Sequence, residues 1–237
     1  QMMRHDFAII GSGVSGMTAA LLLARHGYSV ALIEKSPLPA PTIRGFSRRG
    51  VYFDTGLHYT GSFAPGEILD VYFRALGLQG IEREAFNPDC FDLLRYPGLG
   101  VEIALPMSYD RLHARLCETF PEERGAIRSY LDDVRADFDG TPLLNLDRDF
   151  GGEIVDVAQH PGTLSAYLDA RTDDKLLKST LSMHALLYGV SPSETPFSSH
   201  ARIAGSYYQS VHGIRGGGSA LVRSYENAMR AAGVKCM

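Results

Sequence analysis

Gly11-Ser12-Gly13-Val14-Ser15-Gly16 stands between two short apolar runs, Phe7-Ala8-Ile9-Ile10 before it and Val30-Ala31-Leu32-Ile33 after it. A helix-like stretch closed by Gly27 lies between the motif and the second run. That order predicts strand, turn, helix and second strand, the βαβ unit on which dinucleotides are held. The first glycine permits the tight turn, the second lets backbone N–H groups approach a pyrophosphate, and the third allows helix and strand to pack closely. The helix N-terminus adds its partial positive charge. Glu34 follows Gly16 by 18 residues, at the end of the second strand, where a carboxylate can accept hydrogen bonds from ribose hydroxyls. Small Ala20, the pair Leu23-Ala24 and Val30 fit the packed faces of such a unit.

The rest of the composition narrows the partners. A formal charge of -4 without a basic run gives no electrostatic footprint for nucleic acid or an anionic membrane surface. Three cysteines, Cys90, Cys117 and Cys236, are too few and too far apart for a disulfide framework or a CxxC metal site. A reduced, cytoplasmic compartment is the expectation. The longest strongly apolar run, around Ala19 to Ala24, is far short of a membrane span.

Further along, helix periodicity dominates. Tyr109, Leu112, Leu116 and Phe120 share one face, and Ile127, Tyr130, Leu131, Val134 and Phe138 share another. A third helix begins at Leu164, and a fourth is expected from Leu176 through Tyr188. The segments 91–96 and 101–105 read as an antiparallel pair across Pro97-Gly98. Near the end, Gly216-Gly217-Gly218 leads into an amphipathic helix through Leu221, Tyr225 and Met229, which turns at Gly233 into the opening of a strand. The expected fold class is α/β: a Rossmann-like dinucleotide domain from residues 4–60 and 212–237, with a mixed α+β substrate or cap region at 61–211 inserted in it. The strand opening at Val234 suggests a chain cut from a longer protein.

At Glu34-Lys35-Ser36-Pro37, and more so at Phe53-Asp54-Thr55-Gly56-Leu57-His58-Tyr59-Thr60-Gly61, the chain resembles the phytoene desaturase-related FAD oxidoreductases. Within them it is most similar to the carotenoid isomerase and retinol saturase branch, through Tyr109-Asp110-Arg111-Leu112, Tyr188 to Pro192, His200-Ala201 and the triple glycine. The resemblance covers nearly the whole chain, but only the N-terminal half of such a protein. It implies FAD as cofactor and a lipophilic unsaturated substrate of carotenoid or retinoid type, to be desaturated, saturated or isomerised. A lipophilic substrate in turn implies peripheral membrane contact. By carry-over, Gly11, Ser12, Gly13, Val14, Ser15 and Gly16 hold the pyrophosphate, Glu34 the adenosine ribose with Lys35 beside it, and Arg44 a flavin-side phosphate or ribityl contact. One departure stands out. The family's Pro-Gly-Gly turn is here Pro39-Ala40-Pro41, in which the Ala40 Cβ and the fixed φ of Pro41 weigh against the backbone path that glycine permits. Without the family's C-terminal strands and late glycine-aspartate motif, this stretch alone is expected to bind FAD weakly or not at all and to turn nothing over.

Two further readings share the opening motif: an amine-oxidase-like flavoenzyme, and a non-enzymatic module of the Rab GDP dissociation inhibitor kind that binds prenylated partners. His58 is the candidate proton donor to a reduced alkene, against the plainer alternative in which Asp54 caps a turn and His58 is structural. His160, His184, His200 and His212 are isolated in sequence, so no metal site is expected and they read as surface or packing residues. Tyr188, Phe197, Tyr207 and Tyr208 either line a lipophilic tunnel or fill a core, and core is the commoner role for aromatics in a helical cap.

Overall fold

The computed structural model describes residues 4–147, 149, 151 and 160–237. In chain order they form β1 (Phe7–Ile10), α1 (Val14–Arg25), β2 (Val30–Ile33), β3 (Phe46–Arg48), β4 (Val51–Phe53), β5 (Thr60–Gly61), α2 (Ile68–Ala75) and β6 (Arg83–Ala85). Then come β7 (Asp92–Tyr96), β8 (Val101–Leu105), α3 (Tyr109–Thr119), α4 (Arg124–Asp139), α5 (Leu164–Asp169), α6 (Lys175–Leu181) and α7 (Ala185–Tyr188). The last elements are α8 (Phe197–Gln209), β9 (Val211–Ile214), α9 (Gly217–Ala231) and β10 (Lys235–Cys236). The chain divides into two compact units, one of residues 1–60, 65–85 and 212–237, the other of 61–64 and 86–211.

The first unit is built on a parallel sheet of order β1-β2-β10, with Phe7 opposite Val30, Ile10 opposite Ile33, and Lys235 opposite Ala31. Central β2 is buried at Val30, Ala31 and Leu32, as an apolar strand between two neighbours must be. Helix α1 turns Met17, Ala20 and Leu21 inward and stops at Gly27, whose φ of +89° suits only glycine. Its Thr18 hydroxyl meets Tyr225 Oη of α9 at 2.9 Å. Two features lie outside the sequence reading. Strands β3 and β4 form a hairpin, Phe46 opposite Phe53, closed by Arg49 and Gly50 with φ of +52° and +78°, the left-handed pair of a type I′ turn. Residues 65–85, which pattern alone groups with the insert, belong to the first unit. Their β6 pairs antiparallel with β9, and Asp70 of α2 takes the Gly66 N–H and ion-pairs with Arg83.

The second unit holds the expected hairpin, β7 against β8 with Asp92 opposite Leu105 and Tyr96 opposite Val101. Its core is where α4 meets α8: Ile127, Tyr130, Val134, Phe197, Ala201 and Ala204 are all fully buried, at roughly 2 kcal/mol for each large side chain. Gly205 lets the two helices close, since a Cβ there would lie 2.9 Å from Phe138 Cβ. The single helix expected from Leu176 to Tyr188 is two. After α6, capped by Asp174 on the Leu176 and Leu177 N–H groups, the chain tightens into i→i+3 bonds over residues 180–186. The break turns His184 into the core, against Phe91, Tyr207 and Tyr208.

Candidate functional site

The glycine motif takes the geometry that its residues dictate. Gly11 leaves β1 with φ +96° and donates its N–H to Ile33 O at 2.8 Å, fixing the turn to the end of β2. A Cβ on Gly16 would overlap the Gly11 carbonyl, so the third glycine is required by helix-strand packing. Gly13 differs: its φ is −63°, and a Cβ would meet no atom of the described residues within 4 Å. Nothing inside the chain demands glycine there, and the open face leaves room for another group to approach. Val14 and Ser15 are exposed in the first turn of α1, which has no side-chain cap on its free N–H groups.

Glu34 follows β2 directly. Its Oε2 accepts the Ser12 hydroxyl at 2.5 Å and the Ser12 N–H at 2.8 Å, and its Oε1 accepts the Ser36 N–H at 2.8 Å. Chiefly through the Ser12 hydroxyl, these bonds lower its pKa to about 2, so it stays a carboxylate and only accepts. Beside it lies a cavity of about 200 Å³ walled by Ser12, Leu32, Pro37, Pro39, Cys236 and Met237. Sequence reasoning set Ser12 on a pyrophosphate; the structure instead directs both its donors to Glu34. Lys35, next in the chain, is exposed.

The Pro39-Ala40-Pro41 turn does not close the path. Ala40 adopts φ +48° and is fully buried, holding the left-handed conformation that glycine takes more cheaply. Its N–H donates to Ser12 Oγ at 2.8 Å, and its carbonyl accepts from Ile43 and Arg44 at 3.0 and 3.1 Å. Half-buried Arg44 joins the site through its backbone, its carbonyl accepting the Ser219 hydroxyl at 2.5 Å and the Tyr52 hydroxyl.

Asp54 accepts the Gly218 N–H, and a Cβ on Gly217 or Gly218 would overlap the Asp54 carboxylate or the Ile43 carbonyl. Packing inside the unit therefore accounts for these two glycines, and Asp54 is a helix cap. His58 is exposed and Tyr59 half-buried in the stretch that follows.

In the second unit the histidines are less isolated than their spacing implies. His160 Nδ1 lies 3.0 Å from Asp137 Oδ2 and its Nε2 3.4 Å from Asp133 Oδ1, carboxylates one helical turn apart on α4. Sequence distance hid that contact. His200 is fully buried, its Nε2 2.7 Å from Tyr130 Oη and its Nδ1 3.0 Å from Tyr188 Oη; burial pushes its pKa down to about 4. Among the described residues no group of three or more His, Cys, Asp or Glu could hold a metal. Phe197 and Tyr208 are core, and neither they nor Tyr188 and Tyr207 line a cleft of about 820 Å³ in this unit, whose walls include Leu94, Tyr96, Leu168, Met183 and Val190. No helix among the described residues is long and apolar enough to cross a membrane.

Residues 9–76 match the NAD(P)-binding Rossmann-like domain. The chain is 28% identical over 230 residues to the human all-trans-retinol 13,14-reductase, covering 90% of this chain and 38% of that protein. It is 26% identical over 142 residues to the chloroplastic prolycopene isomerase of carrot, Daucus carota, covering 60% of this chain and 23% of that one. The chain spans 38% of the length of the human reductase it matches. The α/β fold recurs in an oxidoreductase from Methanosarcina mazei (TM-score 0.66, 18% identity, 97% of this chain and 50% of that one). It recurs in putrescine oxidase (TM-score 0.65, 17% identity, 99% and 51%) and in a RAB GDI from Plasmodium falciparum (TM-score 0.56, 11% identity, 100% and 58%). Both rival readings thus have counterparts on the same fold, and the fold alone does not choose between them.

Proposed function

We propose that this chain carries the FAD-binding face of an oxidoreductase that saturates, desaturates or isomerises a lipophilic unsaturated compound of retinoid or carotenoid type. The observation that carries the reading is Glu34, an ionised carboxylate fixed at the end of β2 beside an open glycine turn. Gly13, next in the chain to Ser12, leaves the turn open to an approaching phosphate. The relatives supply the substrate class: the names of the similar proteins are those of a retinol reductase and a prolycopene isomerase.

The residues present fit a dinucleotide. The first unit, residues 65–85 included, is its binding domain in this reading, and the second unit carries the substrate region. The amides of Gly13, Val14 and Ser15 with the α1 N-terminus meet pyrophosphate, Glu34 accepts a ribose hydroxyl, and Lys35 and Arg44 add positive charge nearby. FAD, when bound, supplies hydride transfer, which no side chain of this protein can. His58, exposed and close in sequence to the Asp54 cap, is the group assigned to proton donation. Membrane contact, if made, is peripheral.

The test is FAD titration of the purified chain, followed by flavin fluorescence, for the natural sequence and Glu34→Ala. Glu34→Ala weakens binding roughly tenfold, the worth of a hydrogen bond to a charged group. Equal binding by the two refutes the reading. Peroxide release with amines and no action on polyenes would move the substrate class to amines.

A further inference from the structure

Ser12 is buried, with 1% of its surface exposed, yet its hydroxyl serves partners from two different segments. Because the Glu34 carboxylate only accepts, the hydroxyl proton points to Glu34 Oε2 at 2.5 Å, which leaves the oxygen lone pairs to the Ala40 N–H at 2.8 Å. The bonds run on from there. Ala40 O takes the Arg44 N–H at 3.1 Å, and Arg44 O takes the Ser219 hydroxyl in the first turn of α9 at 2.5 Å. The glycine turn, the 39–44 loop and the start of α9 are thus joined by one chain of hydrogen bonds that starts at the Ser12 hydroxyl.

We propose that Ser12 is a positioning residue for nucleotide binding: its hydroxyl fixes the Glu34 carboxylate and the left-handed turn at Ala40 together, so that ribose and loop contacts are assembled as one. The proposal rests on the dinucleotide reading above. Without the hydroxyl, the carboxylate loses its closest donor and can turn away, and the Ala40 N–H, in a turn already left-handed at φ +48°, loses its acceptor. A side chain that merely filled space would leave both arrangements in place when replaced by alanine.

ADP and FAD are titrated into the intact chain in a double-mutant cycle of Ser12→Ala and Glu34→Ala, with thermal melts to show that each variant folds, and exchange of the Ala40 amide is followed by hydrogen exchange. Expected are a roughly tenfold loss of ADP affinity on Ser12→Ala in the natural background, no further loss in the Glu34→Ala background, and faster exchange at Ala40. Where Ser12→Ala does not fold, Ser12→Cys, similar in size but a weak donor, takes its place with the same expectations. If the natural chain binds ADP and FAD but Ser12→Ala binds equally well, or loses the same factor in both backgrounds, Ser12 has no positioning role and the dinucleotide reading stands. If the natural chain binds neither ligand, that reading fails and the proposal with it.

Discussion

The Asp54 carboxylate accepts the Gly218 N–H at 3.1 Å and so caps α9 from 164 positions away in the sequence. Asp54→Ala removes the side-chain acceptor of the Gly218 N–H and is expected to destabilise the first unit by about 1 kcal/mol. Gly217→Ala puts a methyl group onto the same carboxylate at φ +57° and costs more, about 2 to 3 kcal/mol. Urea denaturation followed by circular dichroism ranks the two; a Gly217→Ala chain as stable as the natural one would refute the account of the triple glycine.

Ala40 sits at φ +48° with its side chain fully buried, a conformation that β-branched residues resist. Ala40→Val is expected to cost upwards of about 2 kcal/mol, from backbone strain and overpacking together. The midpoint of a denaturant titration measures it, and a change within about 0.5 kcal/mol would show that the turn can take another path.

His184 is fully buried and neither ring nitrogen has a hydrogen-bond partner among the described residues, which pushes its pKa down to about 3. An apolar ring of similar shape removes that penalty. His184→Phe is expected to stabilise the second unit by about 1 to 2 kcal/mol at neutral pH. A less stable variant in thermal melts would mean that the ring nitrogens have partners after all.

Both buried histidines tie stability to pH. The folded pKa values of His184 and His200 lie near 3 and 4, below the ordinary value of 6.5, so the unfolded chain binds the extra protons. Their contribution is complete above pH 6.5 and is lost as pH falls through 4 and then 3, about 3 kcal/mol for His200 alone. Denaturation midpoints between pH 7 and pH 4 should fall steeply, and less steeply in His184→Phe from about pH 6.5 downward. A flat profile across that range would show that these rings are not buried as neutral groups.

Much of this architecture was legible from the residues because local steric demands are written locally. The turn from β1 to α1 needs glycine at Gly11 and Gly16, the stop after α1 needs Gly27, and α3 and α4 carry unbroken apolar faces. Elements without such demands were illegible. The β3–β4 hairpin is exposed along both strands and its Arg49-Gly50 turn is an uncommon spelling of a type I′ loop. Helix α8 carries serine, tyrosine and a glycine, poor helix formers, and is held by burial of Phe197, Ala201 and Tyr208. At the site, the types and spacing of Gly11 to Gly16 and Glu34 could be read directly. The partners of Ser12 and of Asp54, which come from distant segments, could not, because spacing says nothing about contacts closed by tertiary folding.

The pairing of β10 with β2 sets the order in which the molecule can be made. Once Ile33 has left the ribosome, roughly ten to forty seconds of synthesis pass before Cys236 follows at ordinary elongation rates. The helices of residues 86–211 have time to fold in that interval, while the first strand pair waits for its third member. The cavity beside Glu34, walled by Cys236 and Met237, does not exist until that strand docks. In the dinucleotide reading, a nucleotide at this cavity therefore acts on folding only after β10 has docked.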